Sequence, residues 1–288
     1  MTSRFGFYIL LYLLRPRKPE CSRGHLGPNL TSCGNPPRAP PGRRQALACR
    51  KKANLQAQPV GPAPIFLRFT LLMKAFLFDL NGTMIHDMDY HTSAWQHTLT
   101  HEVGSPLTWD ELKPQMYGKN QEVLARLFGP ERFTEQEVEC LSIIKEARYQ
   151  EEFLPHLALL PGLHEFLEQA HRRGIGLAIG SAAIPFNIDF VLDNLGIRHL
   201  FSAIVSADDV TLSKPHPETF LKAAAALGVS PAECLVFEDV PKGAEAAQNA
   251  GMQAVILTTT HTPPEFAHLP NIRHFAADFT DPFMQTLL

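Results

Sequence analysis

Short apolar segments recur along residues 73–288, and helical patterns separate most of them. These segments are almost continuously apolar instead of alternating, which indicates strands covered on both faces. The predicted strands are Ala75–Phe78, Ile175–Ile179, Ala203–Val205, Leu235–Phe237 and Ala254–Leu257. The predicted helices between the later strands are Leu163–Arg173, Asn187–Leu195, Glu218–Leu227 and Gly243–Ala250. Regular alternation of strand and helix predicts an α/β fold with a doubly wound parallel sheet.

One segment interrupts this alternation. Residues 87–160, between the first two predicted strands, contain only helical patterns. Examples are Tyr90–Val103, Gln121–Phe128 and Glu135–Phe153. A helical insertion of this length predicts a small cap subdomain on a core formed by residues 73–86 and 161–288.

Residues 1–72 differ from the rest of the chain in composition. They hold 12 of the 26 Lys and Arg residues and ten of the 24 prolines, but only one acid, Glu20. The segment Phe5–Leu14 is apolar, but it is shorter than the roughly 20 residues that span a bilayer. We predict that residues 1–72 are a disordered leader or the product of an upstream start codon, and that the fold begins at residue 73.

The remaining residues carry 28 of the 29 acids, so a nucleic-acid partner is not expected there. Five cysteines without a C-x-x-C pair indicate neither a disulfide framework nor a zinc site. These features favour a reducing compartment. The expectation is a cytoplasmic monomer with no membrane or nucleic-acid partner.

Chemically capable side chains follow the predicted strands. The first strand leads into Asp79 and a glycine-containing turn, whose N–H groups can hold an anion. Ser181 follows the second strand, and Lys214 precedes a helix after the third. Glu238 and Asp239 follow the fourth strand and form a carboxylate pair suited to Mg²⁺. Because the carboxyl ends of parallel strands meet at one edge, we expect these groups to lie together.

Four motifs in this order resemble the haloacid dehalogenase superfamily. They are Phe-Asp-Leu-Asn-Gly-Thr, Ile-Gly-Ser, Ser-Lys-Pro-His-Pro-Glu and Val-Phe-Glu-Asp-Val-Pro-Lys-Gly. The resemblance is to the branch with a helical cap after the first strand and an acidic pair in the last motif. The segment Tyr90–Trp95 is similar to the cap entry of β-phosphoglucomutases and sugar-phosphate phosphatases. The resemblance covers residues 73–288 and implies a Rossmann-like core, with the active site between core and cap.

The resemblance also implies residue roles. Asp79 would be a nucleophile that becomes an aspartyl-phosphate. The implied Mg²⁺ ligands are Asp79, the backbone carbonyl of Asn81, Asp239 and, directly or through water, Glu238. The implied phosphoryl-binding residues are Ser181, Ala182 and Lys214, and Lys214 would also offset charge around the nucleophile. The cap residues expected to contact substrate are His91 and Lys119.

Asn81 departs from the family pattern. Phosphatases and mutases of the family carry a second Asp there as general acid and base, and its loss is worth on the order of 10²–10⁴-fold in rate. The chain could be a slow phosphatase or a binding relic, His91 or His86 could donate the proton, or the Asn81-Gly82 step could deamidate to Asp. Dehalogenase chemistry also lacks the second Asp, but it needs no Mg²⁺ and would leave the Glu-Asp pair without a purpose.

The cap loop weakens the mutase assignment. Tyr117–Gln121 resembles the mutase's substrate-reading loop, but Gln121 stands where that family places an arginine for a second phosphate. The expected function is Mg²⁺-dependent hydrolysis of a small phosphorylated metabolite, specifically a sugar phosphate. The alternatives are a β-phosphoglucomutase-like mutase and a catalytically impaired phosphometabolite-binding protein. The remaining polar residues near the cap entry are interpreted as hinge residues, not as a metal cluster: His86, Asp87, Asp89 and His91.

Overall fold

The computed structural model describes residues 73–288, and the predictions made for residues 1–72 lie outside this described part. Six parallel strands form one sheet in the order β3-β2-β1-β4-β5-β6. The strands are β1 (Ala75–Phe78), β2 (Gly176–Gly180), β3 (Ala203–Val205), β4 (Cys234–Glu238), β5 (Gln253–Leu257) and β6 (Ile272–Ala276). The predicted doubly wound parallel sheet is confirmed.

The first strand lies in the interior of the sheet, between β2 and β4. Ala75 is in register with Gly176 on one side and with Cys234 on the other. All four residues of β1 are fully buried. Since successive side chains of a strand point to opposite faces, Phe76 and Phe78 enter one hydrophobic core and Ala75 and Leu77 the other.

Helices cover both faces of the sheet. The core helices are α5 (Leu163–Arg172), α6 (Pro185–Asn194), α7 (Glu218–Leu227), α8 (Pro241–Asn249) and α9 (Pro282–Gln285). Phe166 of α5 stacks on Phe76 with ring centroids 5.4 Å apart, while Phe220 of α7 packs on the opposite face with Leu77. Helices α6 and α8 begin two residues before their predicted starts, at Pro185 and Pro241. Proline suits a first helical turn because no N–H is required there.

The strand β6 was not predicted. Its sequence Ile-Arg-His-Phe-Ala mixes polar and apolar residues, with Arg273 exposed and His274 partly exposed. It lies at the edge of the sheet and pairs only with β5. An edge strand therefore need not show the continuous apolar pattern on which the other strands were predicted.

The segment between β1 and α5 is helical, and the inserted cap is confirmed. Its helices are α1 (Met88–Thr98), α2 (Trp109–Leu112), α3 (Asn120–Phe128) and α4 (Glu135–Phe153). A separate hydrophobic cluster holds it together, formed by Trp95, Leu99, Leu112, Val123, Leu124 and Leu141. The boundaries proposed for the two parts remain predictions. No helix within residues 73–288 is both long and apolar enough to cross a membrane.

Candidate active site

The carboxyl ends of β1, β2 and β4 open into one pocket beneath the cap. The predicted site residues that line it are Asp79, Asn81, His91, Ser181, Ala182, Lys214, Glu238 and Asp239. Asp79 directly follows β1, Ser181 follows β2, and Glu238 ends β4. The parallel topology thus brings together residues that are up to 160 positions apart in the sequence.

Lys214 joins two of the carboxylates. Its Nζ lies 2.6 Å from Oδ1 of Asp79 and 2.6 Å from Oε1 of Glu238. Burial alone would lower the pKa of Lys214, but attraction to Asp79 and Glu238 raises it above the usual lysine value. The side chain is therefore a permanent ammonium group beside the predicted nucleophile.

Glu238 is fully buried and holds Lys214 in place. Its Oε2 accepts the backbone N–H groups of Asp239 and Val240 at 3.0 and 3.1 Å, and its Oε1 accepts from Lys214. Both oxygens are therefore occupied, so this geometry favours an indirect role at a metal over direct ligation. A Cβ at position 243 would lie 1.8 Å from Oε1, so glycine at the start of α8 makes room for the carboxylate.

Asp239 faces the turn after β1. Its Oδ1 accepts from the Thr83 hydroxyl at 3.0 Å, and its Oδ2 accepts from the Thr260 hydroxyl at 2.5 Å. Burial, followed by the nearby Glu238 and Asp79, raises the pKa of Asp239 well above its usual value. Sequence reasoning missed both threonines, although Thr83 belongs to the first motif.

The buried charges fit a divalent cation. Three carboxylates, those of Asp79, Glu238 and Asp239, share one ammonium group, and burial is the main cause that raises the pKa of Asp79 to about 7. Across residues 73–288, no three His, Cys, Asp or Glu side chains are arranged to hold a metal on their own. Mg²⁺, however, commonly binds one or two carboxylates together with water and substrate phosphate. Asp79, Asp239 and the Asn81 carbonyl would hold it here.

Asn81 is anchored to the cap. Its Nδ2 donates to Oδ2 of Asp87 at 2.6 Å and lies 3.0 Å from Nε2 of His91. The Tyr149 hydroxyl donates to the same Asp87 oxygen at 2.6 Å. Burial opposes ionisation of Asp87, but hydrogen bonds from His91, Tyr149 and Asn81 outweigh it and lower its pKa. Asp87 is therefore a buried carboxylate beside the site, directly before the first cap helix α1, and its interpretation as a hinge residue stays a prediction.

The cap contributes two further charges that sequence reasoning missed. Lys145 and Glu146 of α4 line the pocket, and Nζ of Lys145 lies 2.7 Å from Nδ1 of His91. The His91 ring stacks on Tyr149 with centroids 3.9 Å apart. A Lys-Glu step in the middle of a helix forms no motif, and only the tertiary structure shows that both residues face inward.

Ser181 and Lys119, predicted to contact phosphate and substrate respectively, differ in their position relative to the pocket. Ser181 is buried at the pocket wall beside Ala182, and its Oγ accepts the N–H of Ala183 at 3.1 Å. Lys119 lies outside the pocket lining, and its Nζ donates to the Val210 carbonyl of the core at 2.6 Å. Without substrate its ammonium group ties the cap to the core, and the predicted contact of Lys119 with substrate stays a prediction.

Fold and site together define a hydrolase with a parallel α/β core, an acidic site at the strand ends and a helical cap. Residues 73–251 match the sequence model of the haloacid dehalogenase-like hydrolases. The chain belongs to this family, as the four motifs predicted.

Curated relatives are similar over the same part of the chain. β-Phosphoglucomutase of Bacillus subtilis is 35% identical over 190 residues, which cover 64% of this chain and 82% of the relative. Fructose-1-phosphate phosphatase of Escherichia coli is 32% identical over 180 residues, which cover 62% of this chain and 93% of the relative. The crystal structure of CbbY from Rhodobacter sphaeroides with xylulose-(1,5)bisphosphate superimposes with a TM-score of 0.65 at 25% sequence identity. The superposition covers 73% of this chain and 96% of CbbY.

Proposed function

We propose that this protein is a Mg²⁺-dependent phosphatase for a small phosphorylated metabolite, specifically a sugar phosphate. The observation that carries this proposal is the Lys214 ammonium group, which bridges Asp79 and Glu238 at 2.6 Å each. This contact engages Oδ1 of Asp79, and we assign the attack to Oδ2. The curated relatives named for sugar phosphates support the substrate class.

The first step transfers the phosphoryl group to Asp79. One carboxylate oxygen attacks phosphorus, and the bond from phosphorus to the alcohol oxygen breaks with its electron pair leaving on that oxygen. Lys214 and the Ser181 hydroxyl hold the equatorial oxygens. Covalent catalysis divides one difficult displacement into two easier ones, and fixed positive groups stabilise the charge that develops. Asp79, Asp239 and the Asn81 carbonyl would hold Mg²⁺, which would supply positive charge that stabilises the transferring phosphoryl group.

The second step restores the enzyme. Water attacks phosphorus, the bond from phosphorus to the Asp79 oxygen breaks, and inorganic phosphate leaves with the carboxylate regenerated. Each step moves a proton: the departing alcohol gains one and the attacking water loses one. Asn81 lies where the family's general acid and base stands, but its amide cannot exchange that proton. Turnover is therefore expected to be reduced, with the proton supplied by solvent or by His91.

The Asn81 amide also supports a second candidate. A protein that binds a phosphometabolite without turning it over would keep the phosphate and metal groups and lack only the proton carrier. The mutase alternative has the Bacillus subtilis relative in its favour. It additionally requires the site to accept a second phosphate.

A phosphatase screen over sugar phosphates, with Mg²⁺ and with EDTA, tests the activity. Independently of turnover, beryllofluoride, which mimics an aspartyl-phosphate, should raise the melting temperature only when Mg²⁺ is present. Asp79→Asn should abolish this shift, while Asp110→Asn, at an exposed position in the cap, should retain it. A full shift in Asp79→Asn would contradict the role of Asp79. A beryllofluoride shift without any hydrolysis across the panel would favour the binding protein.

A further inference from the structure

The cap places one ion pair against the pocket, formed by Lys145 and Glu146. Both residues are only 3% exposed. Nζ of Lys145 lies 3.0 Å from each carboxylate oxygen of Glu146. The two proposed steps on Asp79 give neither residue a direct role.

Glu146 remains ionised because several donors surround it. Nδ2 of Asn120 donates to Oε1 at 2.7 Å, and Nδ2 of Asn187, from core helix α6, donates to Oε2 at 2.6 Å. Burial would raise the pKa of Glu146, but Lys145, His91 and the two amides lower it below the usual value. The carboxylate is therefore a fixed negative charge on the pocket wall.

Lys145 is fully engaged by its neighbours. Its ammonium group bonds Glu146 and lies 2.7 Å from Nδ1 of His91. The rings of Trp95 and Tyr149 lie on its other sides, 5.7 Å from Nζ to each centroid. An ammonium group has three donors. These three contacts leave no donor for a ligand, and Glu146 already neutralises the positive charge of Lys145.

The other two lysines of the pocket are not positioned to bind a second anionic group of the substrate deep under the cap. Lys214 is committed to Asp79 and Glu238 at the reacting end. Lys242 belongs to the core and is exposed to solvent, with its Nζ 3.8 Å above the Tyr117 ring. Among the described residues, Lys145 is thus the lysine that the cap itself contributes to the pocket lining.

We propose that Glu146 makes this site selective for phosphate monoesters whose alcohol part carries no second anionic group, because it neutralises Lys145. This inference rests on the proposed function and specifies its substrate class. A second phosphate at the cap side would be removed from water without an available cation and next to a buried carboxylate. Both effects oppose its binding, which is selectivity by exclusion.

The test measures binding, so that it does not depend on turnover. Asp79→Asn serves as the background, and isothermal titration calorimetry with Mg²⁺ gives Kd for glucose 6-phosphate and glucose 1,6-bisphosphate. The background protein should prefer the monophosphate. Adding Glu146→Gln should shift the ratio of the two Kd values at least about tenfold towards the bisphosphate. Adding Lys145→Met as well should return the ratio to that of the background, since no free cation remains.

Glu139→Gln is the matched control, because it removes the same charge from an exposed position of the same helix. It should leave the ratio unchanged. An unchanged ratio in Glu146→Gln, or an equal gain in the double variant, overturns the inference. If circular dichroism shows that Glu146→Gln is unfolded, the Kd ratios of the Asp79→Asn background and of Lys242→Gln in that background still test the inference. A background that favours the bisphosphate, and loses that preference with Lys242→Gln, assigns the second phosphate to the exposed lysine.

The outcomes for the two proposals are distinguishable. Hydrolysis of monophosphates by the unmodified protein, together with equal affinity for both esters, would refute the selectivity and leave the phosphatase. Selective binding without hydrolysis of any ester would refute the phosphatase and leave the selectivity. A background protein that binds neither ester overturns the inference, because a site without affinity for a monoester cannot select one.

Discussion

Replacing Asn81 with Asp restores the proton carrier that the family pattern places two residues after the nucleophile. The surroundings of the amide define what this change does. Its Nδ2 donates to the fully buried Asp87 at 2.6 Å. In Asn81→Asp a carboxyl oxygen takes the place of that donor, so two carboxyl groups would face each other at this distance. One of them must keep a proton.

The distance between Asn81 Nδ2 and Asp87 Oδ2 determines how strongly the two carboxylates would repel each other. Two unit charges 2.6 Å apart repel by about 6 kcal/mol at an effective dielectric constant of 20, which corresponds to roughly four pKa units. Hydrogen bonds from Tyr149 and His91 to Asp87 hold the proton on the introduced carboxyl group in preference to Asp87. The introduced aspartate would thus be a neutral acid near neutral pH, the form that protonates a leaving alcohol. General acid catalysis then predicts a gain in kcat of roughly 10²-fold or more.

The same pair makes stability depend on pH. A carboxyl whose folded pKa is raised stabilises the fold below its unfolded pKa and loses that contribution as pH rises through the folded value. The free energy of unfolding of Asn81→Asp should therefore fall more steeply from pH 5 to pH 9 than that of the unmodified protein. Urea unfolding at several pH values measures this difference.

The assay is initial-rate kinetics on the best sugar phosphate of the screen. Asn120→Asp is the matched control, because Asn120 also donates to a buried carboxylate, that of Glu146, but away from the nucleophile. Only Asn81→Asp should gain activity. If His91 already supplies the proton, Asn81→Asp changes little and His91→Ala abolishes activity. If Asn81 deamidates, stored protein gains activity and mass spectrometry finds an aspartate at that position. A folded variant that binds phosphate and gains nothing would refute the reasoning.

Three further outcomes are expected. Because the pKa of Asp79 is about 7 in the folded protein against 3.8 ordinarily, the metal-free fold should lose on the order of 4 kcal/mol between pH 4 and 7. Melting curves should accordingly show a larger Mg²⁺ shift at pH 8 than at pH 5.5, and equal shifts would contradict this. Gly243→Ala should lower the free energy of unfolding in urea by roughly 1–3 kcal/mol, since a Cβ would collide with the Glu238 carboxylate. Lys119→Met should reduce kcat/KM equally for small and large esters if its contact with the Val210 carbonyl only closes the cap. A loss of kcat/KM confined to large esters would support the predicted contact of Lys119 with substrate.

The apolar pattern predicted five of the six strands, including the edge strand β3, and missed β6 at the other edge. Strands β1 and β4 are enclosed on both faces and have neighbours on both sides, so an apolar run was sufficient evidence for them. The edge strand β6 has one neighbour, and its exposed Arg273 breaks the pattern. The order of the motifs predicted which residues meet at the pocket, because parallel topology fixes where the strand ends lie.

The features of the site that the sequence did not reveal depend on tertiary contacts. The sequence does not show that Asp87 is buried and accepts a hydrogen bond from Tyr149, 62 positions away. Glu146 looks like one of several acids in α4, and only Asn187 from the core shows that it faces the pocket. A buried charge requires partners to be stable, and those partners are remote in the sequence. Local patterns cannot reveal them.

The interior position of β1 also affects how the chain is made. About 100 residues separate Ala75 from its partner Gly176, and about 160 separate it from Cys234. At a synthesis rate of roughly 5–20 residues per second, β1 leaves the ribosome roughly 5–20 s before its first neighbouring strand exists. Its four apolar side chains stay unpaired during that interval. The strand that leads to the nucleophile is therefore a segment where a chaperone that binds nascent chains would raise the yield of folded protein.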